Sequence, residues 1–141
     1  MHNAPAVSYP VGRSSFAGRL MLLAWMFSAA GLVVWRMQVQ ASPAALAAAV
    51  AALIASGTFA LRSWLRSPIG TLAWDGLGWT WSIERGAQPG IPKVALDAQR
   101  VMLLRWLGGS GKPEWLWLEQ ASRPARWDDL RRAVYSRASP P

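Results

Sequence analysis

The 141-residue chain contains no cysteine. That excludes disulfides, thiol nucleophiles, iron–sulfur clusters and thiolate zinc sites. Its one histidine is His2, so histidine metal centres and Ser–His or Cys–His catalysis have nothing to build on. Acid is missing from the whole first half, where nothing negative precedes Asp75. Within that half, the sixteen residues Leu20–Trp35 and the twenty-five residues Met37–Leu61 carry no charge of either sign. A helix in water keeps a charged or polar face. Two long runs without one point to lipid as their solvent.

What the first half does contain is arginine. Residues 1–74 hold five Arg and no acid, against ten Lys/Arg and seven Asp/Glu in residues 75–141. The net charge of +8 would suit a polyanion. However, the arginines flank apolar runs, where the positive-inside rule accounts for them, and no nucleic-acid partner is expected. The pattern predicts a flexible cytoplasmic tail over residues 1–15 and a two-helix membrane hairpin over residues 16–66, with spans at about 16–36 and 44–61. Pro43 suits a first helical turn, and Gln38, Gln40 and Ser42 make a polar turn between the spans. Absence of charge decides this reading. Seven Leu, Val and Phe in Leu20–Trp35 favour insertion by roughly 2–4 kcal/mol, which one central charge, at about 2.5–3.5 kcal/mol, would cancel. Arg13, Arg19, Arg62 and Arg66 outnumber Arg36 at the turn, so both termini are expected in the cytoplasm. Ala44, Ala48, Ala52, Ser56 and Ala60 form a stripe of small residues for helix packing. It would meet either Ala24, Ser28 and Gly31 of the first helix or a second copy of the chain in a homodimer.

From residue 67 the pattern shifts to short alternations: Thr71–Trp74, Trp79–Ile83, Lys93–Asp97, Val101–Leu107 and Glu114–Glu119 read as strands. Asp75-Gly76, Gly86 to Gly90 and Gly108 to Lys112 read as turns between them. A last helix is expected over about 124–137, with Asp128 and Asp129 toward its positive end and Arg131, Arg132 and Arg137 toward its negative end. The fold class is therefore a membrane α-helical hairpin followed by a small antiparallel β-sheet module with a C-terminal helix, an α+β arrangement. In Val101–Leu107 and Trp115–Leu118 both faces are apolar, although one helix can cover only one. The other face must meet a curled part of the same sheet, the hairpin, lipid headgroups or a partner.

Motifs for chemistry are absent. Gly108-Gly-Ser-Gly-Lys112 lacks the leading glycine and the closing Ser or Thr of a phosphate loop. Asp128 and Asp129 diverge on a helix, and Glu114 and Glu119 face opposite sides of a strand. No catalytic, cofactor-binding or metal-binding residue is expected, and the chain is read as a non-enzyme. Ten tryptophans, seven of them from Trp74 onward, suit sheet packing and protein interfaces. Candidate partner contacts are Trp115, Trp117, Trp127, Arg126, Arg131 and Arg132.

The order of pieces carries a resemblance. Two apolar N-terminal helices precede Leu72-x-Trp74-Asp75-Gly76, Trp79-x-Trp81-Ser82 and Met102-Leu-Leu104. The chain then closes with Trp115-Leu-Trp-Leu118 and Trp127-Asp-Asp-Leu-Arg-Arg132. This order resembles the YgfX-like (CptA) family of proteobacterial inner-membrane proteins over nearly the whole chain. The resemblance implies a bacterial inner-membrane hairpin with a cytoplasmic β-rich domain, and it offers no catalytic residue to carry over. It further implies the toxin of a toxin–antitoxin pair that impairs cell division and shape by binding tubulin-like and actin-like cytoskeletal proteins. Its partner would be a small soluble antitoxin, also known as a flavin-attachment factor for succinate dehydrogenase. The chain departs from the family in a longer, Pro-containing N-terminal tail and a looser region around Gly86–Pro92. The alternatives are an assembly or scaffold factor for a respiratory complex and a lipid-binding sensor. The hairpin is tested by extraction: the full chain is expected to stay with membranes through an alkaline wash and to leave only with detergent, and release by the wash alone would refute it.

Overall fold

A computed structural model describes residues 5–109 and 111–136. His2 and Arg137 lie outside the described residues. The chain divides into two compact units, residues 15–66 and the remainder.

The first unit is a helical hairpin. Helix α1 (Ser15–Gln38) has 24 residues and α2 (Pro43–Leu65) has 23. At ~1.5 Å per residue both exceed a ~30 Å hydrocarbon core, and both are apolar enough to cross one. They outrun the uncharged segments because arginine favours helix, so Arg19 and Arg62 fall inside the outer turns. Ser42 caps α2, its Oγ accepting from the Ala45 amide at 3.2 Å, with Pro43 following as the first helical residue.

The face of α2 that is half-buried runs through Leu46, Ala49, Leu53, Gly57, Ala60 and Trp64. This differs from the within-chain packing expected of the stripe: Ala44, Ala48, Ala52 and Ser56 are exposed, as are Ala24, Ser28 and Gly31. A strict four-residue spacing drifts around a helix of 3.6 residues per turn, whereas steps of three and four hold one face. Only Ala60 belongs to both sets. The Trp25 Nε1 donates to the Leu53 carbonyl at 2.9 Å, and Gly57 leaves room for the ring.

The second unit is a curled six-stranded antiparallel sheet with strands in chain order, β1 (Val7–Val11), β2 (Gly70–Trp74), β3 (Trp79–Ile83), β4 (Gly86–Asp97), β5 (Val101–Gly108) and β6 (Glu114–Glu119). Two single turns of 3-10 helix lead into α3 (Trp127–Tyr135). Strand β1 corrects, at Val7–Val11, the flexible tail expected over residues 1–15. Val7, Tyr9 and Val11 alternate inward and are buried, and Pro10, which cannot donate, faces out in a strand with no ladder beyond β2.

Strand β4 corrects the turn expected across Gly86–Gly90. Its ladder with β3 ends at Gly90, where its ladder with β5 begins. Pro89 therefore has only β3 beside it and Pro92 only β5, so each proline can turn its missing donor to the open side. By passing from one neighbour to the other, β4 forms the corner of the curl.

The curl brings β1 back to β6. Tyr9 Oη donates to the Glu119 carbonyl at 2.6 Å and accepts from the Arg123 amide at 3.2 Å. Burial, only partly offset by that amide, raises the phenol above its usual 10.0. Inside lie Leu72, Trp74, Trp79, Trp81, Met102, Leu104, Trp106, Leu116 and Leu118, with Trp127, Leu130 and Ala133 of α3 packed among them. Trp81 Nε1 reaches across to Glu114 Oε2 at 3.0 Å.

Helix α3 is latched to the β4–β5 turn. Asp97 Oδ2 accepts from Tyr135 Oη at 2.7 Å and Arg131 Nη2 at 2.8 Å, while Oδ1 accepts from the Gln99 amide at 2.8 Å. The Tyr135 hydroxyl foremost, with Gln99 and Arg131, holds the Asp97 carboxyl below its usual 3.8. A depressed folded-state value means the latch stabilises above about pH 4 and fades as the pH falls through that lower value. Asp97→Asn should flatten this acid-side loss in denaturant unfolding of the detergent-solubilised chain. An unchanged pH slope would remove Asp97 as its source.

Candidate functional site

The structure separates the six expected contact residues. Trp127 is buried, its Nε1 donating to the Gln99 carbonyl at 2.8 Å and its ring 5.7 Å from that of Tyr9. It is a core residue and not a surface contact, because its one polar atom is consumed by the turn that Gln99 makes at φ 66°. Arg131 is held in the Asp97 latch. Arg126 and Arg132 are exposed and share Asp129 at 3.7 and 3.8 Å, the long geometry of a solvated surface pair. Trp115 is 49 % exposed and Trp117 half-buried.

Those last two belong to a surface that the strand register assembles. Side chains alternate across a sheet, so the residues not facing the core line up in rows on the outside of β4, β5 and β6. The middle row is Lys93, Arg105 and Trp115. On one side of it lies the pair Ile91 and Leu107, and on the other Leu96, Leu103 and Trp117. A bulge between Val94 and Leu96 sets Leu96 opposite Leu103. Curling therefore closes the inner face only, and the outer face of these three strands stays open, with Ile91 63 % and Leu96 44 % exposed.

The row has an electrostatic consequence. Lys93 and Arg105 stand directly opposite each other across the ladder, an arrangement of like charges that destabilises a sheet. Among the described residues neither enters an ion pair. Two cations between two greasy rows are suited to a carboxylate-bearing segment that also carries apolar side chains. Sequence reasoning did not single out Ile91, Lys93, Leu96, Leu103, Arg105 or Leu107. Their signal was the doubly apolar run Val101–Leu107, and the register alone joins that run to Lys93.

No family model, curated protein or solved structure matches this chain.

The two tryptophans should behave oppositely in denaturant unfolding. Trp127→Ala should cost about 3–5 kcal/mol, and Trp115→Ala about 0.5 kcal/mol or less. Equal costs would show that Trp115 is covered within the chain.

Proposed function

We propose that this protein is a membrane-anchored protein-binding module that acts by sequestration and not by catalysis. The observation that carries the reading is the open outer face of β4–β6, where the basic row Lys93–Arg105–Trp115 runs between two apolar rows. Aromatic and arginine side chains dominate binding energy at protein interfaces. The partner this face fits is a protein presenting acid flanked by apolar residues. The anchor is the hairpin, whose two helices are long and apolar enough to span a bilayer. Its arginine distribution supports a bacterial inner-membrane location with both termini in the cytoplasm.

The order of motifs, with its resemblance to the YgfX-like family, supports a more definite version. In it the module is the toxin of a toxin–antitoxin pair. Its targets are tubulin-like and actin-like cytoskeletal proteins, and its neutralising partner is a small soluble antitoxin. Sequestration of this kind needs a surface and a tether, and no reacting group.

Arg105→Glu separates binding from folding. It sets opposite charges across the ladder from Lys93, worth roughly 0.2–1 kcal/mol in favour of the sheet, while reversing the charge offered to a partner. Strong induction of the natural chain is expected to block division or distort cell shape, and Arg105→Glu at equal membrane levels to do neither. Normal rods under induction of the natural chain would sink the toxin version, and equal toxicity of the variant would sink the assigned face. Dehydrogenase subunits in place of cytoskeletal proteins in a pull-down from detergent-solubilised membranes would favour the respiratory-complex scaffold.

A further inference from the structure

The two helices touch along the hairpin, Trp25 reaching Gly57 and Trp64 reaching Gly18. Beside those contacts, near the end where α1 begins and α2 finishes, both helices line a groove of about 960 Å³. Its walls are apolar, among them Leu22, Trp25, Ile54 and Leu61, and Arg19 and Arg62 also line it. Gly18 lies beneath Trp64 and Gly57 beneath Trp25, an antiparallel register that sets the two arginines at the same level of the hairpin.

From this geometry we infer that the groove binds one anionic phospholipid, its phosphate between Arg19 and Arg62 and an acyl chain along the apolar walls. The inference rests on the membrane anchor proposed above. Three observations favour a lipid anion over other occupants. The first is size: the volume lies at the upper end of small-molecule sites, about 300–1,000 Å³, far more than an inorganic ion fills. The second is charge. No acid precedes Asp75, so the hairpin holds no carboxylate to neutralise its arginines, and among the described residues neither Arg19 nor Arg62 is in an ion pair. The third is placement. Arg19 of α1 and Arg62 of α2 line the same groove at one level of the hairpin, so a single phosphate there has both cations beside it. Guanidinium grips phosphate through paired hydrogen bonds, and basic pockets between membrane helices on the cytoplasmic side bind anionic headgroups in this way.

The test uses the full chain in nanodiscs of equal phosphatidylglycerol and phosphatidylcholine, released for native mass spectrometry. The natural chain is expected to retain phosphatidylglycerol over phosphatidylcholine by roughly tenfold or more. The Arg19→Gln/Arg62→Gln double variant should lose that preference, and Arg19→Lys/Arg62→Lys should recover part of it. Ile54→Trp, which fills the groove with both arginines intact, should abolish retention, whereas Arg36→Gln at the far end should change nothing. Equal retention of the two lipids by a chain that resists alkaline extraction would overturn the lipid site and leave the anchor standing. So would a preference that survives the double glutamine variant or is lost with Arg36→Gln. A chain that alkaline buffer strips from membranes would overturn anchor and site together.

Discussion

At five places an indole ring crowds the space where its neighbour's side chain would have to be, and each time the neighbour is glycine. A methyl group on Gly57 would stand 2.6 Å from Trp25 Nε1, and one on Gly18 3.1 Å from Trp64 Nε1. In the sheet, a methyl on Gly70 would stand 2.8 Å from the Trp81 ring, one on Gly90 2.6 Å from that of Trp106 and one on Gly108 2.8 Å from Trp106 Nε1, with the Ser82 and Leu107 carbonyl oxygens closer still to the first two. Glycine inside a helix or strand costs roughly 0.5–1 kcal/mol relative to alanine. In the sheet that cost is offset by the burial of Trp81 and Trp106, which come closer to the backbone than a Cβ would allow. Five of the seven glycines inside regular elements are tied to tryptophan in this way, while Gly31 and Gly86 have open space around them. The pairing brings α1 and α2 close at Gly18 and Gly57, and it brings the Trp81 and Trp106 rings close to β2 and β4. Gly90 has a second duty, since it is the only residue of β4 paired on both sides.

This pairing explains what could and could not be read from the sequence. The two long helices were legible because their signal is local: a run without charge needs no partner to be recognised. Strands β3 and β6 were legible at their full length, Trp79–Ile83 and Glu114–Glu119, because alternation and flanking turns agree. The Asp75-Gly76 turn was too, with the Asp75 carboxylate accepting from the Leu77 and Gly78 amides at 2.8 and 2.7 Å. Strand β4 was cut short because Gly and Pro ordinarily punctuate. They serve as strand residues here only because β4 has one neighbour at a time, a fact of topology. Strand β1 was missed although Val7-Ser-Tyr-Pro-Val11 alternates, because its partner is β2, on the far side of the hairpin in sequence.

The surface was less legible than the fold for the same reason. An arginine on a helix reads alike whether it is solvated, as Arg132 is, or tied down, as Arg131 is. What separates them is Asp97, carried by a different element. The outer face is likewise a product of register: Lys93 and Arg105 are unremarkable singly, and they become a site only when the ladder sets them opposite each other.

The chain order adds an argument about the hairpin that composition does not contain. Val11 pairs with Gly70 in the sheet, and α1 and α2 both lie between those residues in the chain. A segment whose two ends are held together by backbone hydrogen bonds must cross a bilayer an even number of times or not at all. Two spans meet that condition, and one span beside one surface-lying helix does not. The same order bears on assembly. Closing a long loop costs little more for each added residue, about 0.6 kcal/mol per doubling. Here even that is reduced, because a hairpin formed first already has its ends, Ser15 and Leu65, on one groove. Strand β1 then covers the edge of β2 and, through Tyr9, meets β6. Without it the edge of β2 would stand open to other chains. In this protein the segment that would enter the membrane is also the segment that delivers the strand completing the sheet.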